Sequence, residues 1–350
     1  MTVTSEMITM QRALTSLIGG RDLTRDEARG VMELIMRGEA TDAQIGSVAT
    51  ALRIKGETKD EITGFAEAMR AHSHHVHTER GGLLDTCGTG GSGVHKFNIS
   101  TASAIIASAA GIRVAKHGNR AMSGKSGSAD TLEALGVNIT LTGEQAARCL
   151  DAIGICFMFA QIYHPSLKHA AAPRRELGFR TIFNMLGPLT NPANADRQLI
   201  GIYDRSRTDT IAAVLGDLGL HRAMVVSSHD GLDEISISSP TQISELLNGD
   251  VRTYTITPEE LGLTTRSLSD IIGGDAQENA RIIRTIFSGE EQGAYRDIVL
   301  ANAGACIYVG GKANSLQEGV AVAKSIIDSG KAASKLQQLI ETTGALSHVS

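Results

Sequence analysis

The chain is expected to be α/β, a small all-helical N-terminal domain followed by a larger domain whose mostly parallel central sheet is flanked by helices. Three observations carry that expectation. Helix-start signals repeat through the first 72 residues; beyond His72, short apolar runs alternate with small-residue helical stretches; and a glycine-rich loop follows the first apolar run. A length of 350 residues exceeds one ordinary core, so two domains are predicted, 1–72 and 73–350.

The helical domain is read from three capping boxes, a hydroxyl that caps a helix and a Glu or Gln three residues later that answers it. Thr24 pairs with Glu27, Thr41 with Gln44 and Thr58 with Glu61. Apolar residues at helical spacing follow each box: Leu34 and Ile35; Ile45, Val48, Ala49 and Leu52; Ile62, Phe65 and Met69. Gly38 and Gly56 stand near the ends of two of these helices, as stops commonly do.

After His72 the buried strands are predicted at Leu83–Cys87, Ile112–Lys116, Ile155–Ala160, Leu199–Tyr203 and Met224–Ser228. Helices are predicted at 101–110, 127–135, 142–153 and 208–218. That alternation implies a parallel sheet covered by helices. The segment 164–192, with four prolines, is helical and loop-like and is expected in part to complete the helical domain; from 276 onward the chain reads as helical.

Composition excludes several classes of function. Hydrophobic residues make up 42% and charged residues 20%, the balance of a soluble globular protein. No apolar run approaches the roughly 18 residues of a membrane-spanning helix, and the N-terminus lacks the pattern of a secretory signal. Four cysteines without a CxxC pair read as reduced thiols, which places the chain in the cytoplasm. A net charge of −5 and an aromatic content of 3% argue against nucleic-acid binding.

The chemistry concentrates in residues 86–129. This window holds no Asp or Glu but carries Lys96, Arg113, Lys116, Arg120 and Lys125, a local excess of positive charge that suits an anion. The first strand runs into Gly88-Thr89-Gly90-Gly91-Ser92-Gly93, where backbone N–H groups can converge on phosphate oxygens. Asn98, Ser100 and Thr101 add side-chain donors at the start of a helix. A dinucleotide is excluded, because the acid required about 20 residues further on is missing. A second anion loop is read at Lys116–Ser128; its Gly124-Lys125-Ser126 lacks the spacing of a nucleotide-triphosphate loop. Asp233 and Glu234, beyond the fifth strand, are the candidate ligands for a hard divalent cation. The run His72, His74, His75 and His77 is read as linker rather than metal cluster.

The segments DTCGTGGSGVHKFNIST, KHGNRAMSGKSGSADTLEALG, RRELGFRTIFNMLGPLTNP and DGLDEIS, taken in order, resemble the anthranilate phosphoribosyltransferases. The resemblance spans nearly the whole chain. It implies transfer of phosphoribose from phosphoribosyl pyrophosphate to anthranilate, a homodimer packed through helices, and two magnesium ions per active site. Gly88 and Gly91 would meet ribose and pyrophosphate, and Asn98, Ile99, Ser100 and Thr101 would hold phosphate. Lys116, His117, Gly118, Asn119, Arg120, Ala121, Met122, Ser123, Gly124 and Ser128 would wrap the rest of that substrate. Asn119 and Arg174 would contact anthranilate, Arg174 through its carboxylate, while Ser100, Asp233 and Glu234 would bind magnesium. No general base is assigned. The chain departs from the family where Ser92 replaces the usual Asp and Lys96 the usual Thr. Both remain in the expected substrate site, and Lys96 is predicted to take over part of the cation's work at the pyrophosphate. A pyrimidine nucleoside phosphorylase and a nucleic-acid-binding relative of the same fold are the alternatives. The Arg174 segment and the Asp233–Glu234 pair oppose the first, and the negative net charge opposes the second.

Overall fold

The computed structural model describes residues 8–78, 81–90, 93–121 and 125–347. The chain divides into two compact units: Met1–His74 with Tyr163–Thr190, and His75–Ile162 with Asn191–Ser350.

The helical unit opens with α1 (Met10–Ile18), α2 (Arg25–Met36), α3 (Asp42–Lys55) and α4 (Lys59–Ala71). All three predicted capping boxes form in both directions, satisfying amides that a helix start leaves without partners. Ile35 of α2 and Ile62 and Phe65 of α4 are fully buried as predicted, whereas Leu34 is only half-buried and Ala28, Val31 and Met32 complete the buried face of α2. Glu61 does more than cap. It is fully buried, and its carboxylate accepts from the Leu23 and Thr58 amides and from the Lys55 ammonium, which offsets the cost of its burial.

The α/β unit begins with β1 (Leu83–Gly88), α5 (Ile99–Ala109), β2 (Arg113–Gly118), α6 (Ser128–Leu135), α7 (Gly143–Ile153) and β3 (Ile155–Phe159). A single turn, α8 (Ala160–Tyr163), leads the chain back into the helical unit. There it adds a 3₁₀ segment (Pro165–Ala170), α9 (Ala171–Leu177) and α10 (Ile182–Leu186). It returns as β4 (Arg197–Gly201), α11 (Thr208–Asp217), β5 (Arg222–Ser228), β6 (Thr241–Leu247) and β7 (Asp250–Ile256). Four helices follow: α12 (Ala276–Ser288), α13 (Ala294–Val309), α14 (Leu316–Asp328) and α15 (Lys331–Ser347).

The sheet order is β3-β2-β1-β4-β5-β6-β7. The first five strands are parallel, and β6 and β7 add antiparallel at one edge. Parallel strands covered on both faces read as near-continuous apolar runs, which is why these five were visible in the sequence. The β6–β7 hairpin was not expected. Its turn, Asn248-Gly249, has both residues at positive φ (51° and 96°), the two-residue hairpin geometry that an Asn-Gly pair favours. Helix α5 is buried all round, which suits its run of Ala, Ser and Ile.

Candidate active site

Strands β2 and β3 lie on one side of β1, and β4 and β5 on the other. The strand order therefore reverses between β1 and β4, and loops leaving the carboxyl ends of such strands open a crevice. Gly88 and Gly201 end these two strands and are registered partners. The turn at Asp233 closes directly onto both. A Cβ at Gly88 would lie 2.8 Å from Asp233 Oδ2, and one at Gly201 would lie 1.9 Å from the Asp233 carbonyl oxygen. Only glycine permits this approach, so Asp233 and Glu234 are held, buried, at the switch point.

The first loop is tied to that acidic turn. The Gly90 N–H donates to Asp233 Oδ2 at 3.0 Å, from a residue at φ +66°. Thr89 N–H donates to the Gly201 carbonyl at 2.9 Å. Lys96 reaches the same turn: its Nζ lies 2.7 Å from Asp233 Oδ1 and 3.0 Å from Glu234 Oε1. Burial works against the ammonium's charge, but the two carboxylates outweigh it and hold the Lys96 pKa above the usual lysine value. Burial pushes Glu234 upward, and Lys96 partly counters it. Gly91 and Ser92 lie outside the described residues.

A second cluster joins β1, β2 and α5. Lys116 is buried, and its Nζ donates to the Thr86 carbonyl at 2.5 Å and to Ser100 Oγ at 3.3 Å. Beside it Asp85, fully buried, accepts from the His117 amide at 3.1 Å and from Gln198 Nε2 at 3.4 Å. Burial raises the Asp85 carboxyl pKa, opposed by Lys116 and by a hydrogen bond from Asn191. Asn98 does not cap α5 with its side chain. Its Oδ1 instead accepts from Thr131 Oγ1 and, at 3.0 Å, from Asn279 Nδ2. Ile99 and Thr101 are buried in the first turn of α5.

The described ends of the second loop are tied to α6. Asp130, in the first turn of α6, accepts from Arg120 Nη1 at 2.7 Å, the Gly127 amide at 2.8 Å and the Ala121 amide at 3.2 Å. Burial alone would raise the Asp130 pKa; these donors outweigh it and lower it. Ser128 Oγ donates to the Asn119 carbonyl at 3.2 Å, and a Cβ on Gly118 would meet that same hydroxyl at 2.2 Å. Met122, Ser123 and Gly124 lie outside the described residues.

The structure thus gathers Gly88, Lys96, Asn98, Ser100, Lys116, Asp233 and Glu234 around the ends of β1 and β2, with Asn119, Arg120, Ala121 and Ser128 on the next loop. Arg174 belongs to the helical unit, on α9, stacked over Phe183 at 5.6 Å. Four site residues escaped sequence reasoning: Asp85, Asp130, Asn191 and Gly201. The block of positive charge does not survive folding as expected. Lys96 pairs with Asp233 and Glu234, Arg113 with Asp151, and Arg120 with Asp130 and Glu133, all acids outside the window. Among the described residues no cluster of three or more His, Cys, Asp or Glu forms, the histidine run included. An open hollow of about 700 Å³ lined by Tyr203, Arg205, His229 and Gln242 contains none of the expected residues. The hydrogen-bonded cluster at the switch point, not that hollow, defines the candidate site.

Comparison with known proteins identifies the family. Residues 80–333 match the a/b domain of a glycosyl transferase family, and residues 11–73 match its helical bundle domain. An anthranilate phosphoribosyltransferase from Brevibacillus brevis is 52% identical, over 97% of this chain and 99% of that one. The crystal structure of anthranilate phosphoribosyltransferase from Thermus thermophilus matches with a TM-score of 0.90 at 40% identity, covering 95% of this chain and 99% of that one. The Saccharomyces cerevisiae enzyme in complex with PRPP and Mg matches with a TM-score of 0.88 at 25% identity, covering 96% and 98%. With a fold, a switch-point site and full-length relatives in agreement, the chain belongs to the anthranilate phosphoribosyltransferases.

Proposed function

We propose that the chain transfers the phosphoribosyl group of 5-phosphoribosyl 1-pyrophosphate to the amine of anthranilate, in tryptophan biosynthesis. The products are N-(5-phosphoribosyl)anthranilate and pyrophosphate. The observation that carries the reading is the Lys116–Ser100 link, which sets a buried ammonium and a hydroxyl together at the start of α5 in a full-length family member. Gly88 and Gly91 would take the ribose and pyrophosphate. Asn98, Ser100 and Thr101, with the backbone of Ile99, would take phosphate, and the loop from Lys116 to Gly124 with Ser128 would enclose the remainder. Asn119 and Arg174 would orient anthranilate.

These groups mostly position rather than react. Positive charge develops at the ribose C1 as pyrophosphate departs, and the anthranilate amine attacks the opposite face with inversion. An aromatic amine is neutral at pH 7 and needs no base to be nucleophilic; the proton it sheds after attack goes to solvent or to the departing pyrophosphate, and alignment supplies much of the rate. A magnesium ion on the pyrophosphate would neutralise charge on the leaving group. The residues fit that ion unequally. Ser100 Oγ is an oxygen donor beside Lys116, whereas Asp233 Oδ1 and Glu234 Oε1 already converge on the Lys96 ammonium. The four cysteines are free thiols, three of them buried, as suits a reducing cytoplasm. A homodimer through the helical unit completes the proposal; Ile18 and Ile54, on α1 and α3, are 76% and 82% exposed there.

The test is loss of anthranilate fluorescence with phosphoribosyl pyrophosphate and magnesium, each omitted in turn; the absence of Trp keeps the protein's own signal low. Loss that requires both additions is expected. Loss with neither, or none with both, would overturn the proposal.

A further inference from the structure

We infer that Lys96 is a built-in cation: its ammonium fills the Asp233–Glu234 pair, so this chain binds one divalent ion fewer per active site than a relative with an uncharged residue at that position. The inference rests on the proposed function for the location of the substrate. Its physical basis is the geometry of the acidic turn. An ammonium has three N–H donors. All three find oxygens of the same turn: Asp233 Oδ1 at 2.7 Å, Glu234 Oε1 at 3.0 Å and the Asp233 carbonyl at 3.4 Å. The other Asp233 oxygen is engaged by the Gly90 amide.

Neither partner is placed to move aside. The backbone of Lys96 forms a bridge with Ile272, and the Gly273 amide donates to the His95 carbonyl at 2.8 Å. A Cβ at Gly273 would stand 2.5 Å from the Phe97 nitrogen, so the two segments touch backbone to backbone. Phe97 itself is buried, edge-on to Tyr295 at 5.2 Å between ring centres. On the other side the acidic turn is pinned by Asn302, which both accepts from the Ile235 amide and donates to its carbonyl at 2.9 Å.

A magnesium ion demands oxygens at about 2.0–2.1 Å in near-octahedral order and gives up its water reluctantly. To take this position it would have to expel an ammonium that is itself largely buried, leaving that charge without its two counter-ions. To bind beside it, the ion would face a like charge within a few ångströms. The ammonium is a weaker but permanent substitute. It neutralises one of the two carboxylates, and the pair still presents an organised charged edge beside the loops.

The experiment counts ions directly. Mn²⁺ is titrated into the full-length protein with phosphoribosyl pyrophosphate, and free Mn²⁺ is read by electron paramagnetic resonance, for wild type, Lys96→Thr and Lys96→Met. One ion per chain is expected for wild type and two for both variants. Without substrate, the variants should bind Mn²⁺ more tightly by on the order of tenfold. Two ions in wild type would overturn the inference, and so would equal counts and affinities in all three proteins. The wild-type count decides even if a variant does not fold, and Lys96→Met retains the buried stem. Fluorescence assays on the same samples separate the two readings. Turnover with two ions in wild type would sink the inference and leave the function standing; a changed count without turnover would do the reverse.

Discussion

Gly201 illustrates how one residue's identity is set by a distant part of the chain. A methyl group there would overlap the Asp233 carbonyl oxygen, and neither β4 in mid-sheet nor the Asn302-anchored turn can yield cheaply. Gly201→Ala is therefore expected to cost ~1–3 kcal/mol, as other overpacked positions do. It should also lower turnover by on the order of 100-fold, because Asp233 and Glu234 shift relative to the loops. Denaturant midpoints and kcat would read the two effects. Gly46→Ala is the control: it lies in α3 with no atom near its Cβ, and should be neutral or stabilising by up to about 1 kcal/mol. An unchanged Gly201→Ala protein would mean the turn does not depend on that close approach. Gly88 was legible because it opens a glycine-rich loop. Gly201 was not, because its constraint comes from a residue 32 positions later that no local pattern links to it. Asp85 and Asp130 were hidden similarly. They flank the acid-free window on either side, and only folding turns them inward to hold the His117, Ala121 and Gly127 amides.

At the scale of an element, the described ends of the second loop are tied to the first turn of α6. Asp130→Asn removes the charge that binds Arg120 and weakens the acceptor for the Gly127 and Ala121 amides. The KM for phosphoribosyl pyrophosphate should rise by on the order of tenfold with a smaller change in kcat, since the loss is one of loop order. The pH dependence follows from the sign of the shift. Asp130's pKa is depressed below the ordinary 3.8, so its stabilisation is complete above that value and is lost as pH falls through the folded-state value. The difference in thermal midpoint between wild type and Asp130→Asn should be flat at neutral pH and vanish in acid. A difference that grew on acidification would contradict the carboxylate's role. Element boundaries were readable where their cause is local, as with the three capping boxes, whose partners sit three residues apart. The β6–β7 hairpin was overlooked for the opposite reason. A search for apolar runs finds central strands, whereas β7, Asp250–Ile256, is a largely exposed edge strand. Asn248-Gly249 was the signal that would have found it.

Over the whole molecule, composition proved a poor guide to local field. Five basic residues in a window without acids suggested a local excess of positive charge suited to an anion, yet Asp151, Asp233, Glu234, Asp130 and Glu133 come from elsewhere to pair with three of them. Charge along the chain becomes charge in space only after the sheet has ordered the segments. The same distinction applies to apolar surface and to assembly. In the helical unit the large hydrophobic side chains are buried except at a few places, of which Ile18 and Ile54 are the most exposed in the described chain. They stand at the ends of α1 and α3, helices that pack against one another. Burying an isoleucine is worth roughly 1.5–3 kcal/mol, and a two-fold interface uses each residue twice. Four such side chains could together supply most of the ~8 kcal/mol that a micromolar dimer requires. The double variant Ile18→Asp with Ile54→Asp is therefore expected to sediment as a monomer at micromolar concentration, with an unchanged helical circular-dichroism spectrum, while the unmodified chain sediments as a dimer. A variant that stayed dimeric would move the interface to another face, and an unmodified chain that ran as a monomer would remove the homodimer altogether.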